Sequence, residues 1–440
     1  MKAGFVSLGC AKNLVDTEVM LGIMQANGIE LTTNPADADI LIVNTCAFIL
    51  SAKEESITTI LNLAEYKTER CRALIVAGCL GQLYKRELLD EMPEVDAVIG
   101  TGAWNRIMEA IEEVLSGRRV ILIGAREIIY DSKTPRIRTT PAYTAYVKIA
   151  EGCNNRCAFC SIPLIRGRQI SRTIEDIRAE VDKLVAQGVK EINLIAQDTT
   201  AYGTDIYGRP KLVELLRELV KTDAHWIRIL YAYPRRFSDE LIDLIAREPK
   251  ICNYVDLPLQ HASNKILKLM NRPDTRESIE ALLKKIRAKI PGVVIRSTFI
   301  VGFPGETEED FLELKNFLEE QRLDKVGVFT YSQEENTAAY DFPDQISEEV
   351  MQERYHDLMS MQSLISQELN EELEGQELEV LIEGRDEETS QVVAGRSYRD
   401  APEVDGLVYI ENDGRSEAGD LVRVKVLSGF VYDIAAERID

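Results

Sequence analysis

This chain has little histidine, three residues in 440, and no apolar run near the roughly 20 residues that cross a membrane. Its first residues, MKAGFVSLGCAKN, hold no stretch long enough for a secretory core. The expectation is a cytoplasmic protein without a membrane segment. There its eight cysteines stay reduced, so clustered ones serve metals or catalysis and not disulfides. Positive charge is also in deficit. The 52 Lys and Arg against 74 Asp and Glu leave a net charge of −22, which argues against broad nonspecific binding of polyanions and for a cationic partner or plain solubility. With 45% hydrophobic and 29% charged residues, the chain can bury sizeable cores and fill two or three domains.

Three textures follow one another. Residues 1–118 alternate β-rich runs (KAGFVSLG, ADILIVNT, RALIVAG, VDAVIG) with amphipathic helical patterns, which predicts an α/β domain on a parallel sheet. The stretch DSKTPRIRTTPAYT reads as a linker. Residues 139–371 resume the rhythm with six strand candidates: AYVKIA, EINLIAQ, WIRILYA, NYVDLPL, VVIRSTFIV and KVGVFTY. They predict a partial (β/α)6 barrel, closed by a long helix that starts at Ser347 and stops near Gly375. Residues 372–440 change to short strands broken by Gly, Asp and Asn, the pattern of a small all-β barrel.

Within EGCNNRCAFCSIPLIRGRQ, Cys153, Cys157 and Cys160 fall within eight residues, with no fourth cysteine and no histidine nearby. A structural zinc site wants four protein ligands, and the nearest histidine in sequence, His225, lies on a different βα unit. Iron-sulfur clusters are held by thiolates at uneven spacings, and three ligands to a four-iron cluster leave one iron open to a substrate. A zinc-bound loop is the alternative. The other cysteines sort by position on the strands. Cys10, Cys46 and Cys79 each follow a strand, at the carboxyl ends that share one edge of a parallel sheet, and so suggest a second cluster. Cys71 and Cys252 precede their strands and read as buried structural thiols.

A CxxxCxxC loop directly after the first strand of a βα barrel resembles the radical S-adenosylmethionine (SAM) enzymes, and the whole chain resembles one family of them, the methylthiotransferases. The resemblance implies a radical SAM barrel in the centre and a C-terminal barrel of the TRAM type. It implies two 4Fe-4S clusters, with Cys153, Cys157 and Cys160 holding the radical cluster and Cys10, Cys46 and Cys79 the auxiliary one. Phe159 matches the aromatic position near the SAM adenine. One SAM would methylate a sulfur at the auxiliary cluster; a second would generate the 5′-deoxyadenosyl radical. An electron donor such as flavodoxin or ferredoxin is implied.

Weaker signals lie on later strands. Gly302 and Gly305, in FIVGFPGETEEDF, match a SAM-contacting segment, although Thr307 to Asp310 is also an ordinary helix start. Gln197 and Asp198 end the second barrel strand and are candidates for SAM contacts. The Gly-Gly-Glu run common near that position in the superfamily is missing here. Met351, Met359, Met361 and His261 read as packing residues.

One branch of the family modifies adenosine in transfer RNA, another the β-carbon of an aspartate in the twelfth small-subunit ribosomal protein. From Glu372 to Asp440 there are 18 acidic and 7 basic residues, net −11. An RNA-gripping module should show a basic stripe. This one suits a basic protein, or is simply a solvated acidic face. SLGCAKNLVDTE, LYAYP, PLQHAS and ILKLMNRPDT resemble the protein-modifying branch, so a basic ribosomal protein is the expected partner and nucleic acid is not.

Overall fold

The computed structural model describes residues 1–125, 128–385, 391–412 and 414–440. Its N-terminal sheet has β1 (Lys2–Ser7), β2 (Glu30–Thr32), β3 (Ile40–Thr45), β4 (Ala73–Gly78), β5 (Ala97–Gly100) and β6 (Val120–Leu122), in the order 2-1-3-4-5-6 with every pair parallel. β3 (ILIVNT) and β4 (ALIVAG) are buried at every residue, as strands covered by helices on both faces must be. The chain runs from β1 outward to β2 and then back across to β3. The strand ends at such a reversal leave the crevice where open α/β sheets bind ligands.

The helix Ala11–Ala26 is buried on almost every side, including the polar residues Lys12, Asn13, Asp16, Thr17 and Glu18. Those residues would face water on a surface helix. Here the helix lies between its own sheet and the central domain. Residues 131–144, expected as a linker, form a strap along it. A Cβ on Gly22 would sit 2.4 Å from the Pro135 carbonyl, and Arg136 pairs with Glu180 at 2.7 Å and with Glu18, its Nε donating at 2.9 Å. β6 is an edge strand that the sequence pattern did not single out.

The central domain contains β7 (Thr144–Lys148), β8 (Ala150–Glu151), β9 (Ile170–Ser171), β10 (Glu191–Ile195), β11 (Trp226–Ile229), β12 (Tyr254–Asp256), β13 (Val294–Val301) and β14 (Lys325–Thr330). β7, β10 and β11 form one parallel ladder and β12, β13 and β14 another, joined by a parallel bridge from Ile227 to Ile251. The six expected strands are therefore all present, in a partial barrel. The helix Glu348–Glu371 starts after Ser347 and packs along β14, covering that edge. Gly375, at φ +82°, follows its end.

The C-terminal strands β15 (Glu377–Arg385), β16 (Val392–Ser397), β17 (Val408–Glu411), β18 (Leu421–Gly429) and β19 (Ile434–Arg438) close in the order 15-16-17-19-18. This barrel caps the amino ends of the central strands. Glu191, first residue of β10, accepts from Arg396 at 2.7 Å and from Arg228 at 3.1 Å, all three nearly inaccessible. Tyr254 donates to Asp405 at 2.5 Å, and Lys325 pairs with Asp400 at 3.1 Å. Part of the acidic charge of residues 372–440 is thus neutralised inside the protein. The six cysteines of the two triads lie at the opposite, carboxyl ends of the strands, while Cys71 and Cys252 precede theirs.

Candidate active site

The Cys153–Cys160 loop leaves β7 and β8 at the mouth of the barrel. β8 pairs antiparallel with β9 and clips the loop at its base. Gly152 enters it at φ +77°, where an added Cβ would lie 2.2 Å from the Arg168 carbonyl oxygen, so only glycine fits. The Cys153 N–H donates to Gly167 O at 3.1 Å, and the Cys160 N–H to Cys157 O at 3.1 Å. Ala158 is tied to Met270 and Ala339, and Phe159, half-buried, packs against the apolar cluster that contains Phe303, Tyr331 and Met351. Arg272 brings Nη1 to 3.9 Å from Cys157 Sγ while stacking over Tyr233.

The other triad is assembled from three strand ends. Asn13, fully buried, donates to Leu8 O at 2.8 Å, Asn44 O at 3.2 Å and Thr45 O at 3.1 Å, joining the β1 and β3 exits. Thr45 Oγ1 donates to Ala77 O at 2.6 Å and ties in β4. Ser56 Oγ receives the Cys46 N–H at 3.1 Å and donates to Cys46 O at 2.8 Å. Gly9, at φ +83°, packs so closely that an added Cβ would lie 2.7 Å from Cys46 Cβ. Cys10, Cys46 and Cys79 are thereby held along one edge before any ligand binds.

A buried ionic network joins the two triads. Arg166, six residues beyond Cys160, pairs with Asp16 at 2.5 Å and Glu151 at 3.0 Å. It donates to Asn13 at 2.9 Å and comes within 3.7 Å of Cys79 Sγ. Lys148 pairs with Asp16 and, at 2.6 Å, with Glu151, and Gln197 Nε2 donates to Glu151 at 2.5 Å. Burial opposes the charge on Glu151, but Arg166 and Lys148 outweigh it and hold its pKa at about 2. Burial likewise opposes the charge on Arg166, which Glu151 and Asp16 sustain.

Burial sets the thiols apart. It pushes Cys79 up to about 12 and Cys153 up to about 11, and it raises Cys46 and Cys160. Cys10 goes the other way: burial would raise it, but Lys12, Arg166 and the N–H groups of Asn13 and Lys12 together lower it. Raised thiols need a coordinated metal to become thiolates. Among the described residues no three His, Cys, Asp or Glu side chains close on a single metal-ion position. Thiolates of a multi-iron cluster need not, because each takes a different iron. The two all-thiol sets suit clusters better than zinc.

The remaining candidates divide. Gln197 lies beside the loop with its Oε1 buried and unpartnered. Asp198 is occupied, accepting from Thr200, Asn155 and Arg236 and from the Ala201 N–H. Gly302, at φ +74°, lies where a Cβ would meet Met351 Cγ at 2.1 Å, and its N–H donates to Glu306 at 2.8 Å, so packing alone accounts for it. Gly305 is more open, with Leu269 at 3.4 Å. His261 is fully buried, its Nδ1 accepting from the Ser263 N–H at 2.9 Å. Sequence reasoning missed Lys12, Asn13, Glu151, Arg166 and Arg272. The visible signal was the glycine before Cys10, Cys79 and Cys153.

Three family models match this chain: the Radical SAM superfamily over residues 147–318, the uncharacterized protein family UPF0004 over 2–100, and the TRAM domain over 375–439. Over 437 residues it is 52% identical to the ribosomal protein uS12 methylthiotransferase RimO of Desulforamulus reducens, covering 99% of this chain and 98% of that protein. The protein of the same name from Pelotomaculum thermopropionicum is 50% identical over 441 residues, 100% of this chain and 99% of its own. A solved structure of the radical SAM methyltransferase TsrM from Kitasatospora setae shares the fold, with a TM-score of 0.55 at 16% identity over 74% of this chain and 72% of that one. The architecture is that of a radical SAM enzyme. The chain belongs to the RimO family of radical SAM methylthiotransferases. No helix among the described residues is long and apolar enough to cross a membrane.

Proposed function

We propose that this enzyme places a methylthio group on the β-carbon of an aspartate in the small-subunit ribosomal protein uS12, with SAM and two four-iron clusters. Residues 1–118 would carry the auxiliary cluster on Cys10, Cys46 and Cys79, residues 139–371 the radical cluster on Cys153, Cys157 and Cys160, and residues 372–440 would help receive the substrate. When bound, these groups supply the electron that cleaves the SAM sulfonium and the sulfur that SAM first methylates. Net, one β-hydrogen leaves the substrate and a methylthio group takes its place.

The observation that supports this reading most is the reach of Arg166. It belongs to the segment following one triad and lies 3.7 Å from a thiol of the other, so the chain leaving the loop reaches directly to the N-terminal triad. A primary alkyl radical attacks whatever lies closest, and the chain's task is to decide what that is. Asp16, Glu151, Lys148 and Arg166 lock the two domains together at this point, fixing the approach of one triad to the other. Phe159, Gln197 and Gly305 would line the SAM site, with Asp198 and Gly302 shaping it through their backbone positions.

The partner's positive charge would meet the acidic surface of this chain, and an electron donor of the flavodoxin or ferredoxin type would serve it in the cytoplasm. The test is incubation of the anaerobically reconstituted protein with SAM, a reductant, uS12 and transfer RNA, followed by mass spectrometry of the peptides and nucleosides. One aspartate should gain a methylthio group in place of hydrogen. Modified adenosine in transfer RNA, with uS12 untouched, would overturn the reading.

A further inference from the structure

Lys12, Lys148 and Arg166 are buried cations on the segments that flank the two triads, and two carboxylates pair with them. Asp16 and Glu151 are shared by Lys148 and Arg166. The third cation, Lys12, is 7% exposed and has no carboxylate oxygen within 4.0 Å among the described residues. Its Nζ instead lies 3.2 Å from the centroid of the Tyr231 ring. Burying an ammonium without a counter-ion is unfavourable. Lys12 also occupies the first turn of helix Ala11–Ala26, where the helix dipole disfavours positive charge.

Tyr231 is placed for this contact at some expense. It holds φ at +61°, unusual for a bulky residue, and is pinned there by bonds to two neighbouring strand ends. Its N–H donates to Asp256 at 2.8 Å, and its carbonyl accepts from the Thr199 N–H at 3.0 Å. Strain of this kind persists where the surroundings over-determine it, and it gathers at functional sites. Tyr231 follows barrel strand β11 and Lys12 stands two residues after Cys10, so the pair joins the barrel to the segment that carries the N-terminal triad.

We infer that Lys12 receives the carboxylate of the substrate aspartate, a role that rests on the function proposed above. The substrate carboxylate supplies the missing negative partner, and the Tyr231 ring holds the ammonium in place through its face until the substrate arrives. Lys12 lies two residues after Cys10. An aspartate anchored there presents its β-carbon, one bond from the carboxylate, beside the N-terminal triad. The methionyl carboxylate of SAM offers the same chemistry, but SAM belongs with the Cys153–Cys160 loop, and Lys12 is on the other domain.

The test compares reconstituted wild type with Lys12→Met, using fluorescence anisotropy with a uS12 peptide that carries the target aspartate and the same peptide with asparagine. Wild type should bind the aspartate peptide about tenfold tighter or more. In Lys12→Met the two peptides should bind alike, with iron content and the dissociation constant for SAM unchanged. A preference that survives Lys12→Met overturns the inference. So does equal weakening of both peptides with loss of iron, which would make Lys12 a counter-charge to the thiolates, and so does weakened SAM binding. Should Lys12→Met fail to fold, Lys12→Gln is read in its place by the same criteria. Equal binding of both peptides by wild type, with product still formed on uS12, overturns this inference alone. No binding and no product overturns the substrate reading with it.

Discussion

The two cysteine triads each bring three thiols together, by opposite means. Cys153, Cys157 and Cys160 sit in one short loop, clipped at its base by β8 and β9, so their proximity is guaranteed by chain connectivity. Cys10, Cys46 and Cys79 are scattered over 70 residues and meet because a parallel sheet brings its carboxyl ends to one edge. The first site depends on local geometry. The second depends on Asn13, Thr45 and Ser56 to hold three separate strand exits in register, and on Arg166 from the neighbouring domain. A dispersed site should therefore be the more fragile of the two.

The largest effects should come from removing either triad. Cys153, Cys157 and Cys160 changed together to Ala should abolish SAM cleavage, while the same change at Cys10, Cys46 and Cys79 should leave 5′-deoxyadenosine forming but stop methylthio transfer. Iron should fall from about eight to about four in both cases. The same defect in both variants would break the division of labour.

Next is Arg166→Met, which leaves Asp16 and Glu151 sharing Lys148 alone. Loss of one partner from a buried ion network costs about 3–5 kcal/mol. Denaturation of the apo-protein should register it, and iron should be lost from the N-terminal triad in preference to the loop. Loss from the loop first would reverse the expected order of fragility.

Acid should act on two places at once. Glu151 and Glu191 both have folded-state pKa values held at about 2, burial being outweighed by Arg166 and Lys148 in one case and by Arg396 and Arg228 in the other. A depressed carboxyl contributes stability that is full above its unfolded pKa, about 4.3, and lost as pH falls towards 2. Thermal melts of the apo-protein should decline through that window. Glu151→Gln and Glu191→Gln should each flatten the decline and lower stability at neutral pH. Only Glu151→Gln should also lower iron at the N-terminal triad, because Glu191 lies at the far end of the barrel.

Smaller effects should follow from single scaffold residues. Asn13→Ala leaves buried carbonyls unpaired, at about 1–3 kcal/mol, and should weaken the dispersed triad without touching the loop. Gly302→Ala should destabilise by about 1–3 kcal/mol from its left-handed backbone and the Met351 contact, with the dissociation constant for SAM nearly unchanged. A large loss of SAM affinity there would return Gly302 to direct contact with the cofactor.

Much of the architecture was legible because its signals are local and periodic. The buried runs ILIVNT and ALIVAG, the six barrel strands and the helix from Ser347 to the Gly375 turn all carry their pattern within a few residues. The strap at 131–144 did not, since polar and proline-rich residues look like a linker until Glu18 and Glu180 are found waiting for Arg136. The acidic C-terminal segment also misled in part. Glu383, Asp400 and Asp405 are turned inward to Arg396, Lys325 and Arg296, which no count of charges reveals.

The sequence by itself singled out the six candidate cysteines, because spacing in the loop and position after strands are properties of neighbouring residues and of sheet topology. It also determined the family, through motifs read along the whole chain. Only the tertiary structure decided how the triads are joined. Arg166, Asp16, Lys148, Glu151 and Lys12 are ordinary charged residues in the sequence, up to 154 positions apart. They acquire meaning when burial removes water and leaves each charge dependent on whichever partner the fold has brought beside it.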